Sequence, residues 1–226
     1  GSLASLGAQG RAVAEGLAVL DQSALPHQVI MRRLATLDEA AYAIRTMQVR
    51  GAPLIGATAA YGVALAMKHD ASDAILMQAI TTLSATRPTA INLHWALERM
   101  RVCLAPLQPP ARERAAWREA QAICTEDAAA NHAIGEHGLL LIEVMAKEKQ
   151  HPINLMTHCN AGWLATVAYG TALAPVYAAQ AAGIAVHVFV SETRPRNQGL
   201  LTAWELRQAG IAVVEALTNA GTANLV

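Results

Sequence analysis

The sequence predicts an α/β protein in two parts: a mainly helical N-terminal domain over residues 1–148 and a Rossmann-like parallel-sheet domain over residues 149–226. Three observations carry this. Before residue 150 the apolar residues recur mostly at helical spacing. From Ile153 onward, short apolar runs at Ile153 to His158, Ile184 to Val190 and Ile211 to Val214 alternate with helical stretches closed by Gly183 and Gly210, which is βαβ grammar. The first of these runs ends in Thr157-His158-Cys159-Asn160, followed by Ala161-Gly162. Such a polar cluster at the carboxyl end of a strand stands where open α/β sheets place ligand chemistry.

Bulk composition narrows the function. Of 226 residues, 54% are apolar and 15% charged, enough for a substantial core. Lys plus Arg equals Asp plus Glu at 17 each, and no basic run is present, which argues against nucleic acid or an acidic membrane surface as partner. Apolar runs break well before the roughly 20 residues of a membrane span, and no secretory leader pattern opens the chain, so a cytoplasmic protein is expected. Cys103, Cys124 and Cys159 form no Cys-x-x-Cys pair and read as reduced thiols.

In chain order, Val13 to Val19 and Val29 to Met31 are expected as short edge strands around the Leu25-Pro26-His27 turn. Thr36-Leu37-Asp38-Glu39 fits a capping box for a helix ending near Gln48. Pro53 suits the first turn of a helix running to Met67, whose Gly56, Ala57, Ala60 and Gly62 imply very close packing. Helices follow over 73–84 and from Ala90 to about Cys103, and 111–147 reads as one long helix or as two that divide at Gly135 to Gly138. In the second domain a helix is expected from Ala165 to Ala182. Thr202-Ala203-Trp204-Glu205 reads as the capping box of another.

Several loops carry chemistry. In Arg50-Gly51-Ala52-Pro53, a guanidinium and the free amides of a helix's first turn can converge on one phosphate; the competing reading is a tight turn with a surface Arg. Thr86-Arg87-Pro88-Thr89 repeats the device, with Thr89 as helix cap, although a solvated Arg87 is the simpler account. Glu192-Thr193-Arg194-Pro195-Arg196-Asn197-Gln198 lies at the carboxyl end of the second strand, where Gln198 can hydrogen-bond a sugar hydroxyl with Glu192 or Arg194 in support. Cys159 is either a small core residue or a thiolate favoured by neighbouring donors and a following helix. A metal is not expected: His158 and Cys159 point to opposite faces of a strand, and no further Cys/His cluster exists. Trp95, Trp163 and Trp204 read as core. These features point to an enzyme acting on a phosphorylated small molecule.

Val49-Arg50-Gly51-Ala52-Pro53-Leu54-Ile55-Gly56, Ala85-Thr86-Arg87-Pro88-Thr89-Ala90-Ile91-Asn92-Leu93, Thr157-His158-Cys159-Asn160-Ala161-Gly162 and Glu192-Thr193-Arg194-Pro195 with Gln198-Gly199 and Leu201 to Leu206 occur in this order. Together they resemble the methylthioribose-1-phosphate isomerase family, from about Leu20 to Val213. Ribose-1,5-bisphosphate isomerases and regulatory subunits of translation initiation factor 2B share the superfamily. The resemblance implies an aldose–ketose isomerase that converts 5-methylthioribose 1-phosphate to 5-methylthioribulose 1-phosphate in methionine salvage. It implies a homodimer whose partner is a small sugar phosphate, with no metal or nucleotide cofactor. Ribose-1,5-bisphosphate isomerase and a non-catalytic regulatory subunit stand as alternatives.

By position, the resemblance makes Cys159 the catalytic cysteine and Arg50, Gly51, Ala52, Arg87 and Gln198 substrate-binding residues. It also implies an Asp general acid in a Thr-Asp-Asn-type segment just after Ile211 to Val214, and an Asn-Lys pair further on. Here that segment reads Glu215-Ala216-Leu217-Thr218-Asn219, and no Asp occurs after Asp127. Because the other motifs are intact and the departure is abrupt after Val213, missing residues are the expected cause, and the parallel-sheet domain is expected to be incomplete in this chain.

Overall fold

The computed structural model describes residues 11–13, 16–148 and 152–216, so the stretch after Val214, to which the resemblance assigns the Asp and the Asn-Lys pair, lies largely outside the described residues. These residues fall into two compact units that divide at Asp127 and Ala128.

The first unit opens with a three-stranded antiparallel sheet of β1 (Arg11–Val13), β2 (Gly16–Leu20) and β3 (Met31–Leu34). The two edge segments anticipated from sequence thus become three strands, with Leu17 paired to Leu34 and Leu20 to Met31. Helix α1 (Leu37–Arg45) starts as anticipated: the Thr36 hydroxyl accepts from the Glu39 amide at 3.2 Å, and Glu39 reaches back to the Ala35 N–H at 2.6 Å. It ends a turn earlier than expected, where Met47 adopts a left-handed φ of 63°.

Helix α2 (Ala52–His69) is buried on every side from Leu54 to Met67 and packs against α1, α3 (Asp73–Ser84) and α4 (Ile91–Leu104). Its small residues are what allow this, since a burial-all-round helix needs neighbours close on each face. A methyl group at Gly56 would stand 2.8 Å from the Asn92 carbonyl oxygen, and one at Gly62 would stand 3.1 Å from Leu83 and 3.2 Å from Ala40. Trp95 departs from its core reading: it is 50% exposed, with the Arg99 guanidinium 5.6 Å from its ring centre.

Helix α5 (Pro109–Glu148) is continuous for 40 residues. Of the two readings the structure takes the single helix, because Gly135 and Gly138 are packing notches: Ala174 lies against Gly135 and Pro175 fills the space beside Gly138.

In the second unit β4 (Ile153–His158), β5 (Val186–Ser191) and β6 (Ala212–Ala216) form a parallel sheet in that order. Ile153, Val186, Val188, Val190, Leu206 and Ile211 build its core with Leu173, Val176 and Ile142. Crossovers run through α6 (Ala174–Ala181) and α7 (Gln198–Gln208). Two helix expectations are corrected here. The helix expected from Ala165 is a single 3₁₀ turn at Trp163–Ala165 and a loop, with α6 beginning only at Ala174. Helix α7 begins four residues before Thr202, so Thr202 and Glu205 lie inside it and form no capping box.

Candidate active site

In the first unit, Arg50 and Gly51 stand immediately before α2. Gly51 takes φ 94° and ψ 130°, a conformation that disfavours any side chain, and this lets the chain turn sharply into the helix. No side chain caps α2, and Pro53 falls in its first turn. The helix therefore presents main-chain N–H groups such as that of Ala52 at its positive end. Arg50 is half-buried and anchored: its Nη2 donates to the Gln22 carbonyl at 3.0 Å, and the Gln22 amide donates to the Gln48 carbonyl at 2.9 Å. The turn that supplies Gln22 is braced by Asp21, which accepts from the Ser23 amide at 3.0 Å and Arg32 at 3.1 Å. Although burial opposes ionisation of Asp21, these hydrogen bonds hold its carboxyl below the usual range.

Arg87 precedes α4. Contrary to expectation, Thr89 does not cap that helix; Ala90 occupies the cap position, and the turn is held by the Thr86 hydroxyl on the Leu83 carbonyl at 2.6 Å and by His94 Nε2 against the Pro88 carbonyl at 2.9 Å. The contact of Gly56 with Asn92 makes the beginnings of α2 and α4 close neighbours, so Arg50 and Arg87 enter the same end of this unit. Arg87 Nη1 is buried without a hydrogen-bond partner among the described residues. A buried donor left unpaired is costly, and an anion is a natural partner for it.

In the second unit Cys159 follows the last residue of β4 and takes φ 65°. A non-glycine residue there costs on the order of 1–2 kcal/mol, so its surroundings must hold it. Its N–H donates to the Ser191 carbonyl at 3.1 Å, and its carbonyl accepts the Thr202 hydroxyl at 2.6 Å. The Asn160 amide donates to the same hydroxyl oxygen at 3.0 Å. His158 Nδ1 lies 3.0 Å from the Ser191 hydroxyl, a contact between the ends of β4 and β5. No helix directly follows Cys159, which removes the helix terminus expected to favour its thiolate. Instead the chain curls: the Thr171 amide donates to the Ala161 carbonyl at 2.9 Å, and Gly170, at φ 79°, lies against the Gly162 backbone.

The start of α7 differs from that of α2. Glu192 is buried and its carboxylate accepts from the amides of Thr193 at 2.6 Å, Gly199 at 2.7 Å and Leu200 at 3.1 Å. This helix terminus is thus occupied by the protein's own anion. Gln198, the first residue of α7, is half-buried, and its Oε1 accepts the Thr193 hydroxyl. Arg194 and Arg196 are exposed.

Sequence reasoning missed Glu205. It is fully buried, accepts from the Leu164 amide at 3.0 Å and the Tyr177 hydroxyl at 3.1 Å, and is hydrogen-bonded by the Asn160 side chain. Burial pushes its carboxyl up to about 8. A methyl group at Gly162 would overlap the Glu205 carboxyl, so this glycine is there for lack of space. The available signal was an acidic residue inside the apolar run Leu200 to Leu206.

The fold and these loops define a class: an α/β protein with a helical unit whose helix starts carry arginines, and a parallel-sheet unit with a cysteine loop at a strand's carboxyl end. The chain belongs to the initiation factor 2 subunit family, whose profile matches residues 48–223. It is 64% identical over 193 residues to a methylthioribose-1-phosphate isomerase of Dechloromonas aromatica, a match covering 85% of this chain and 53% of that protein. The crystal structure of 5-methylthioribose 1-phosphate isomerase from Pyrococcus horikoshii OT3 has 33% identity and a TM-score of 0.80, covering 91% of this chain and 58% of that one. That of translation initiation factor eIF-2B, subunit delta, from A. fulgidus has 35% identity and a TM-score of 0.80, covering 94% and 62%. The chain thus spans about half the length of the isomerases it matches.

Proposed function

We propose that the protein is an aldose–ketose isomerase that converts 5-methylthioribose 1-phosphate to 5-methylthioribulose 1-phosphate in methionine salvage, acting as a cytoplasmic homodimer. The observation that carries this is the 64% identity to a protein of that name over 193 residues, 85% of the chain. No helix among the described residues is long and apolar enough to cross a membrane.

The chemistry makes consistent demands. With phosphate on its anomeric carbon, the substrate has no free hemiacetal, so ring opening and hydrogen movement between C1 and C2 require acid–base groups and a dry pocket. Arg50, the α2 start at Gly51 and Ala52, and Arg87 are assigned to the phosphate. The guanidinium fork and main-chain N–H groups match its oxygens, and the buried Nη1 of Arg87 supports this role. Gln198 is assigned to a sugar hydroxyl and Cys159 to proton or charge handling at the reacting carbons. The general-acid Asp implied by family resemblance has no counterpart among residues 128–226.

The test is isomerisation of 5-methylthioribose 1-phosphate by the full-length protein, wild type against Cys159→Ser. A fall in kcat of at least about 100-fold is expected, the scale of a positioned acid–base group, and unchanged turnover would remove Cys159 from the mechanism. The likeness to the A. fulgidus initiation-factor subunit favours a second reading, a non-catalytic subunit. Absence of both turnover and sugar-phosphate binding by calorimetry would establish it in place of the first. Comparison of kcat/KM for ribose 1,5-bisphosphate decides between the two sugars, since a second phosphate needs further basic donors.

A further inference from the structure

Thr202 and Glu205 stand one turn apart on α7, so both side chains leave the same face of the helix. Each is fully buried, and each is hydrogen-bonded to the loop after β4. Thr202 donates to the Cys159 carbonyl and accepts from the Asn160 amide; Glu205 takes the Leu164 amide. Between these points the loop passes Gly162, which lies directly on the Glu205 carboxyl, and α6 contributes the Tyr177 hydroxyl to the same carboxyl.

These bonds are costly to keep. A mid-helix threonine bonds most easily to the carbonyl one turn back, and here the Thr202 hydroxyl is 3.4 Å from the Gln198 carbonyl but only 2.6 Å from that of Cys159. A buried carboxyl surrounded by neutral donors is less favourable than a well-packed apolar side chain. What the polar pair supplies is geometry: it fixes both ends of a loop whose first residue sits in the left-handed region.

We propose that Thr202 and Glu205 are positioning residues, a two-point clamp from α7 that sets the backbone of Cys159 to Leu164 and thereby aims the Cys159 thiol at substrate. This rests on the assignment of Cys159 as the reacting thiol. Neither residue touches the reacting atoms in this scheme. Thr202 acts through the Cys159 carbonyl and Glu205 through the far end of the loop.

The experiment uses the full-length protein with Thr202→Val, Thr202→Ser and Glu205→Gln, and reads three quantities: kcat and KM for the sugar phosphate, the rate of Cys159 carbamidomethylation followed by peptide mass spectrometry, and the circular dichroism spectrum. Thr202→Val is expected to fold, to lose about 10- to 100-fold in kcat as a misplaced group does, and to leave KM within about threefold. Its Cys159 alkylation rate is expected to rise at least about fivefold as the loop loosens. Thr202→Ser, which keeps the hydroxyl, restores most of both, and Glu205→Gln follows Thr202→Val in direction. A folded Thr202→Val with wild-type kcat and alkylation rate overturns the clamp even if Glu205→Gln fails to fold. If the wild-type protein shows no isomerase activity, the proposed function fails, and alkylation alone then decides: rates equal in wild type and Thr202→Val overturn the clamp, and a raised rate that serine reverses upholds it.

Discussion

The carboxylate of Glu192 accepts the amide hydrogen of Gly199 at 2.7 Å, joining the end of β5 to the start of α7. With the Thr193 and Leu200 amides on the same group, one buried side chain satisfies three main-chain donors that would otherwise be orphaned at a turn and a helix start. Hydrogen bonds to a charged acceptor contribute more than neutral ones. Glu192→Ala is therefore expected to lower unfolding free energy by about 2–4 kcal/mol, read by urea denaturation. A loss below about 0.5 kcal/mol would show that water replaces the carboxylate without cost.

Gly162 has no room for a side chain. Gly162→Ala is expected to destabilise by about 3 kcal/mol or more, in the range of overpacked cores. Because the obstacle is one carboxyl, Gly162→Ala combined with Glu205→Ala should cost less than the sum of the two single changes. Additive losses in that double-mutant cycle would place the clash elsewhere.

Glu205 makes stability depend on pH with a definite sign. Its carboxyl titrates at about 8 when folded and near 4.5 when exposed, so between these values the unfolded chain has released a proton that the folded chain keeps. The group's contribution is fully present below about pH 4.5, declines as pH rises, and is lost once pH passes about 8. Tyr177, the titratable group facing it, is pushed further up by burial and by Glu205 itself and stays protonated throughout. Thermal unfolding scanned from pH 5 to 9 should show Glu205→Gln gaining on wild type as pH rises. Parallel curves would mean that Glu205 is ionised in the folded protein at neutral pH.

Arg87→Met keeps the aliphatic stem and removes the guanidinium, whose Nη1 has no hydrogen-bond partner among the described residues. Phosphate-dependent binding of the sugar should weaken about 10- to 100-fold with little change in melting temperature, and Arg87→Lys should recover part of it. Calorimetric titration checks both. Unaltered affinity would leave Arg87 a structural residue of its turn.

The thiols should differ in reactivity. Cys124 is buried, and desolvation pushes its thiol up to about 12, whereas Cys159 is half-buried on a loop. In native protein at pH 8, iodoacetamide should spare Cys124 and modify Cys159. Modification of Cys124 at an equal rate would require that part of the helical unit opens readily.

Most elements and their order are legible in the sequence, because periodicity and punctuation are local. The helix over 73–84, the capped start of α1 at Thr36, the alternation of strand and helix after Ile153 and the positions of Arg50, Arg87, Cys159 and Gln198 before or after elements are all written in short windows. Tertiary structure decided which local signals were used. Thr202-Ala203-Trp204-Glu205 has the residues of a capping box, yet Glu192, six residues before Gln198, supplies the acceptors at α7's start and frees Thr202 and Glu205 for the cysteine loop. Gly135 and Gly138 look like breaks until Ala174 and Pro175 are seen packed against them. Ala165 to Ala182 has helical composition, but burying Gly162 against Glu205, with Gly170 against Gly162, costs the chain two turns of helix. In each case the deciding contact comes from residues distant in sequence, whose burial and hydrogen bonding outweigh a local preference of a few tenths to one kcal/mol.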